Sequence, residues 1–225
     1  MIHIYWAELE DLKHSYDEKV NMLHASRADK LSNFKMPADR IRSLGAGLLL
    51  EKGLEDYLGR CLPVDERGRP IIRYNYAPQG KPYLEEYPNV HFSLSHSGDL
   101  AVLALSDTEV GIDVQENRGY NEKVAKRFYH KDEQKMIDCY ATAEEREILF
   151  YQLWTGKEAY IKYTGEGMSR ELRDFFVDLE KGQIVSEGQM VASYHFIDLN
   201  VENYYCSLVF DKELQKIDKI IKIAL

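Results

Sequence analysis

The sequence predicts an α+β chain, and three observations predict it. Residues 8–60 carry apolar side chains such as Leu44, Leu48, Leu49 and Leu54 near helical spacing, and residues 121–163 return to the same pattern. Between them Val90–Ser95 alternates, Ser97-Gly98-Asp99 supplies a turn, and Leu100–Leu105 is a continuous apolar run, together a strand pair. A second strand pair, Ser193–Leu199 and Tyr204–Phe210, lies about half the chain further on. The order of helices and strand pairs therefore recurs. Duplication of one α+β unit and chance likeness of two hairpins account for that recurrence equally well.

The remaining elements follow in order. Ile2–Ala7 is rich in strand-forming residues, and Pro37 punctuates the helical stretch after it. Leu62–Pro88 is loop-rich and holds most of the six prolines. Glu109–Gln115 reads as a third short strand after the first pair. Gly165 and Gly167 are natural stops for the second helical stretch. A short Lys-rich amphipathic segment follows Phe210.

Charge and cysteine usage exclude several classes. With 38 Asp and Glu against 29 Lys and Arg the formal charge is −9, so binding nucleic acid by bulk charge is not expected. Cys61, Cys139 and Cys206 form no CxxC or Cys/His cluster, which argues against a structural zinc site or a disulfide framework. No basic start followed by an apolar run suggests a secretory signal, and no apolar stretch approaches a membrane span. The expectation is a cytoplasmic protein with 44% apolar residues, enough for a substantial core.

Asp113 and Gln115 are two apart in a probable strand, so their side chains share a face. Two oxygen donors there suit Mg²⁺, although a polar strand end beside a turn explains the pair as well. Trp154, Glu158 and Lys162 share one helical stripe. Glu158 and Lys162 read either as a surface ion pair or as a metal ligand beside a phosphate contact. Gly156 inside that helix costs about 1 kcal/mol relative to Ala, which implies close packing or close approach of a substrate. His91 and His96, an odd number apart, make a poor metal pair, whereas His96 beside Ser95 and Ser97 could donate to an anion. Residues 19–42 hold six basic and two acidic side chains, a basic island that is either an anion site or a solvated helix face.

Taken together these residues resemble a known family. Gly111-Ile112-Asp113-Val114-Gln115, followed by Trp154-Thr155-Gly156-Lys157-Glu158-Ala159-Tyr160-Ile161-Lys162, is similar to the paired motifs of 4′-phosphopantetheinyl transferases of the long, surfactin-synthetase-activating type. Phe92-Ser93-Leu94-Ser95-His96-Ser97, Gly80-Lys81-Pro82, Arg27-Ala28-Asp29-Lys30 and Asp39-Arg40-Ile41-Arg42-Ser43-Leu44 fit the same type, so the resemblance spans essentially the whole chain.

The resemblance implies two similar α+β halves related by a pseudo-twofold, residues 1–108 and 109–225, with the active site in the cleft between them. It implies Mg²⁺-dependent transfer of the phosphopantetheine arm of coenzyme A to a serine of an apo acyl or peptidyl carrier protein, releasing adenosine 3′,5′-bisphosphate. Asp113 and Glu158 would hold Mg²⁺, with Gln115 in the third ligand position, and Lys162 would meet the pyrophosphate. His96, Arg27 and Lys30 would hold the 3′-phosphate end, with Ser43, Lys81 and Ser95 completing the contacts. Glu158 would deprotonate the carrier serine, directly or through water. Gln115 departs from the Glu that many relatives carry, and weaker metal affinity is expected. Residues 116–130, with Tyr120, Lys123, Lys126, Arg127 and Phe128, are the expected carrier-docking segment, and a monomer is expected. A non-catalytic binder of coenzyme A or carrier protein and a Mg²⁺-dependent phosphohydrolase are the competing readings.

Overall fold

Two helices of 22 residues, each laid on a β-sheet, organise the chain. The computed structural model describes residues 1–211, 213 and 216–225, with Met168 described by its backbone alone. The elements run β1 (Ile2–Glu8), α1 (Leu12–Met22), α2 (Ala25–Leu31), α3 (Pro37–Leu58), β2 (Tyr74–Tyr76), β3 (Pro82–Leu84), β4 (His91–Ser97) and β5 (Leu100–Ser106). They continue as β6 (Val110–Glu116), α4 (Glu122–Phe128), α5 (Lys131–Cys139), α6 (Ala143–Thr164), β7 (Phe175–Asp178), β8 (Gln183–Ser186), β9 (Gln189–Ile197), β10 (Tyr204–Phe210) and β11 (Lys219–Lys222).

Two compact units result. The first comprises Met1–Pro78, Pro82–Thr108 and Lys216–Leu225, and the second Gln79–Lys81 and Glu109–Gln215. In the first unit the sheet order is β11-β1-β5-β4. Central β5 is buried at every position, as its unbroken apolar run requires. Helix α3 starts with Pro37 in its first turn, where a missing N–H is harmless, and packs on β5, β1 and β4. Its Leu44, Leu48, Leu49 and Leu54 enter the core with Tyr5, Leu103 and Leu105.

In the second unit the sheet order is β6-β10-β9-β8-β7, antiparallel throughout. Helix α6 opens with a capping box between Thr142 and Glu145 and stops at Gly165, the expected position. It packs on β6 and β10, and Phe150, Leu153 and Tyr160 anchor its buried side.

Three stretches differ from the sequence reading. The Lys-rich tail forms β11, which pairs in parallel with β1 from His3↔Lys219 to Trp6↔Lys222. Residues 216–225 accordingly lie with the first unit rather than with the half that begins at 109. The loop-rich stretch contains the short β2–β3 pair. Residues 175–186 form β7 and β8, where no strand is expected, because four-residue strands are too short to show a period.

Candidate active site

In the second unit Asp113, Gln115, Glu158 and Lys162 come from β6 and α6. Alternation along β6 puts Gly111, Asp113 and Gln115 on one face. A Cβ at Gly111 would lie 2.0 Å from the Ala159 carbonyl oxygen and 2.5 Å from the Tyr163 nitrogen, so only glycine lets strand and helix backbones approach this closely. Two residues on, Asp113 is 2% exposed and its Oδ1 accepts from Lys162 Nζ at 2.6 Å. The same ammonium donates to the Ile112 carbonyl at 3.2 Å. Opposite Asp113 in the sheet stands Ser207, whose hydroxyl bonds Thr155 Oγ1 at 2.6 Å. That buried contact fixes β10 to α6 three residues before Glu158.

Burial, and after it the Asp113 charge, push the Glu158 carboxyl up to about 6, while Lys162 pulls the other way. Two carboxylates whose charges repel are what a divalent cation relieves, and their hard oxygens suit Mg²⁺. Gln115 turns its amide nitrogen to Asp113 Oδ2 at 3.0 Å, so as a metal ligand it would have to present the oxygen instead. Among the described residues no group of three His, Cys, Asp or Glu could hold a metal. A cation at this site would therefore rest on two carboxylates and complete its shell with amide, water or phosphate oxygens.

The other expected site residues have different surroundings. Lys81 commits its ammonium within the second unit to Glu109 Oε2 at 2.5 Å, the Val110 carbonyl at 3.2 Å and the Tyr163 carbonyl at 2.8 Å. An ammonium has three donors, so Lys81 ties β6 to the end of α6. In the first unit Arg27 lies on α2, and its Nε donates to the Ser43 carbonyl of α3 at 2.9 Å. Lys30, exposed on α2, donates to Tyr76 Oη at 3.1 Å. Ser43 and Ser95 are buried, and His96 is exposed near the β4–β5 turn.

Gly156 resolves in favour of packing, since an added Cβ would meet Tyr194 at 2.9 Å and Val177 at 3.1 Å. Trp154 joins an aromatic cluster with Phe128, Tyr129 and Phe150 that seats α4 on α6. On α4 itself Lys123, Lys126 and Arg127 are exposed, and Lys126 pairs with Glu122.

Sequence reasoning missed Lys157 and Glu133. Lys157 is wholly buried, pairs with Glu133 at 2.8 Å, and donates to the Leu172 and Phe175 carbonyls at 2.7 and 2.8 Å. Burial pushes the Glu133 carboxyl up and the Lys157 ammonium down, and each charge pulls the other back. The available signal was position: Lys157 falls between Leu153 and Tyr160 on the buried stripe of α6 that also carries Phe150.

Comparison with known proteins gives the family of the chain. The family model described as 4′-phosphopantetheinyl transferase superfamily matches residues 109–209, which include the β6 and α6 residues above. The model described as 4′-phosphopantetheinyl transferase, N-terminal, matches residues 8–108. The chain belongs to the 4′-phosphopantetheinyl transferase superfamily, in its long, two-part form. It is 44% identical over 67% of its length to the 4′-phosphopantetheinyl transferase psf-1 of Bacillus pumilus. It is 36% identical over 52% to the transferase Sfp of Bacillus subtilis strain 168, and 28% identical over 76% to the transferase ffp of Bacillus subtilis. The matches span 61%, 52% and 72% of those relatives' own lengths.

Proposed function

We propose that this chain transfers the 4′-phosphopantetheine arm of coenzyme A to a serine hydroxyl of an apo carrier protein and releases adenosine 3′,5′-bisphosphate. The observation that carries the reading is Asp113 locked to Lys162 beside Glu158, whose carboxyl is raised to about 6, on the stretch that matches the superfamily. Glu158 would accept the serine proton, directly or through water. The serine oxygen then bonds to the phosphorus of the arm, and the bond from that phosphorus to the bridging oxygen breaks. Lys162 offsets charge gathering on the phosphate oxygens. Mg²⁺, held by Asp113 and Glu158 with Gln115 as a third donor, would supply further neutralisation of the pyrophosphate. Arg27, Lys30 and His96 would hold the 3′-phosphate, with Ser43, Lys81 and Ser95 as further contacts.

No helix among the described residues is long and apolar enough to cross a membrane, and the three cysteines are free. A monomer acting in the reducing cytoplasm, docking its carrier through residues 116–130, fits these features. A second reading, a non-catalytic binder of coenzyme A or carrier protein, is favoured by one observation: Gln115 faces Asp113 with a donor rather than a metal ligand. Incubation with an apo carrier domain, coenzyme A and Mg²⁺, followed by mass spectrometry, separates the two. A carrier heavier by one phosphopantetheine arm supports the transferase. Coenzyme A binding without any gain supports the binder.

A further inference from the structure

The stripe of α6 that carries Glu158 and Lys162 begins further back. Glu147, Tyr151, Trp154, Glu158 and Lys162 follow one another at three- and four-residue steps, so they lie on one side of the helix. Glu158 and Lys162 occupy its C-terminal part. Its N-terminal part grips the segment that follows β6.

Asn117 is the first residue gripped. Its backbone N–H donates to the Asn203 carbonyl at 2.7 Å, and its side-chain oxygen accepts from the Gly119 N–H at 2.9 Å. Its amide nitrogen donates to Glu147 Oε1 at 2.6 Å. A carboxylate only accepts, so the amide must turn its nitrogen to Glu147 and its oxygen to the loop. Gly119 has φ +88°, a left-handed turn that glycine adopts without strain. Tyr151, 6% exposed, holds the same turn through one hydroxyl. Its oxygen accepts from the Arg118 N–H at 2.7 Å, and its O–H donates to the Gly119 carbonyl at 3.3 Å. The ring is fixed in turn, stacked on Tyr205 and edge-on to Phe150, both at 5.1 Å.

The far end of the segment is seated on the same helix. Tyr129 donates to the Phe150 carbonyl at 2.6 Å, and Phe128 meets Trp154 edge-on at 5.8 Å. Helix α4 lies between these two attachments, with Lys123 and Arg127 exposed. Tyr151 and Glu158 are two turns apart on α6, about 10 Å of helix rise, and that spacing is rigid.

We propose that Glu147 and Tyr151 are positioning residues that clamp residues 117–119 to α6, and that this clamp sets the affinity for the carrier protein by holding the α4 cations at a fixed distance from Glu158, ready for an acidic face of the carrier. The inference rests on the transferase reading and the docking segment given above, and extends them to two α6 side chains that act through the loop. A loop released from the helix is competent to dock for only a fraction of the time. Carrier affinity falls by that fraction, while coenzyme A binding and the chemical step do not change.

Steady-state transfer by the full chain, with an apo carrier domain and coenzyme A varied separately, tests it. Tyr151→Phe keeps the ring contacts and deletes both bonds of the hydroxyl. The carrier KM rises about fivefold, while kcat and the coenzyme A KM stay put. Asn117→Asp sets a carboxylate against Glu147 and raises the carrier KM about tenfold. Adding Glu147→Gln rebuilds an amide–carboxylate bond with donor and acceptor exchanged, and returns the carrier KM to within about twofold of wild type. Glu147→Gln alone keeps an acceptor for Asn117 and leaves that KM near wild type. An unmoved carrier KM in Tyr151→Phe, equal rises in both KM values, or a double variant no better than Asn117→Asp overturns the clamp and leaves the transferase reading standing. Wild type that moves no phosphopantetheine onto the carrier removes both.

Discussion

At Glu158 burial and the Asp113 carboxylate both disfavour the charged form, so the ionised side chain costs the metal-free fold stability. An unfolded glutamate titrates near 4.5 and Glu158 near 6, so between those values the folded chain binds more protons than the unfolded one. Stability therefore falls as pH rises through that window and is level above it. Glu158→Gln should raise the Tm without divalent metal at neutral pH, by the equivalent of about 1 kcal/mol, and give no gain near pH 4, where glutamate is already protonated. Thermal melts at the two pH values check this, and phosphopantetheine transfer should vanish in the same variant. Gln115 is the neighbouring test. Adding a carboxylate with Gln115→Glu should shift the Mg²⁺ dependence of turnover to about tenfold lower concentration, because hard-cation affinity follows ligand charge. An unchanged dependence would take Gln115 out of the ligand set.

Between elements, backbone proximity and buried charge decide the tolerance to substitution. At Gly111 an added methyl meets helix backbone that cannot turn aside, so Gly111→Ala should destabilise by about 3 kcal/mol or more and separate Asp113 from Lys162. At Gly156 the obstacles are the Tyr194 ring edge and Val177 methyls, and alanine recovers about 1 kcal/mol of helix propensity, so Gly156→Ala should melt within a few degrees of wild type. Chemical denaturation of both variants compares them directly. Lys157→Met strands the Glu133 carboxylate and should cost about 3–5 kcal/mol, part of it recovered when Glu133→Gln is added, as a double-mutant cycle would register. These elements also mark what the sequence revealed. The helix stripe of Glu158 and Lys162 and the alternation of Gly111, Asp113 and Gln115 were legible, because both depend on local period alone. The Lys157–Glu133 pair was not, because its partners lie on different helices and only the fold joins them. Lys81 could be placed by its motif, but not its donors, which answer to three acceptors distant in sequence.

For the whole molecule, the division into units does not follow a single cut in the chain. The tail was legible as amphipathic, but a four-residue edge strand shows its partner only once β1 is in place beside it. Deleting residues 216–225 should therefore accelerate amide hydrogen exchange in β1 while leaving β9 and β10 protected, a comparison that mass spectrometry of deuterated peptides resolves. The two hairpins that recur in the sequence, β4–β5 and β9–β10, each lie in a sheet against a 22-residue helix, so the recurrence reflects a shared local architecture.

The β11–β1 pairing also has a consequence for synthesis. A ribosome makes β1 before β11, with the whole of the second unit between them. The second unit can thus complete its sheet while the first still waits for a strand, and throughout that interval β1 presents an open edge flanked by Ile2, Ile4 and Trp6. The edge of β1 is thus exposed to aggregation for the whole interval that separates its synthesis from that of β11.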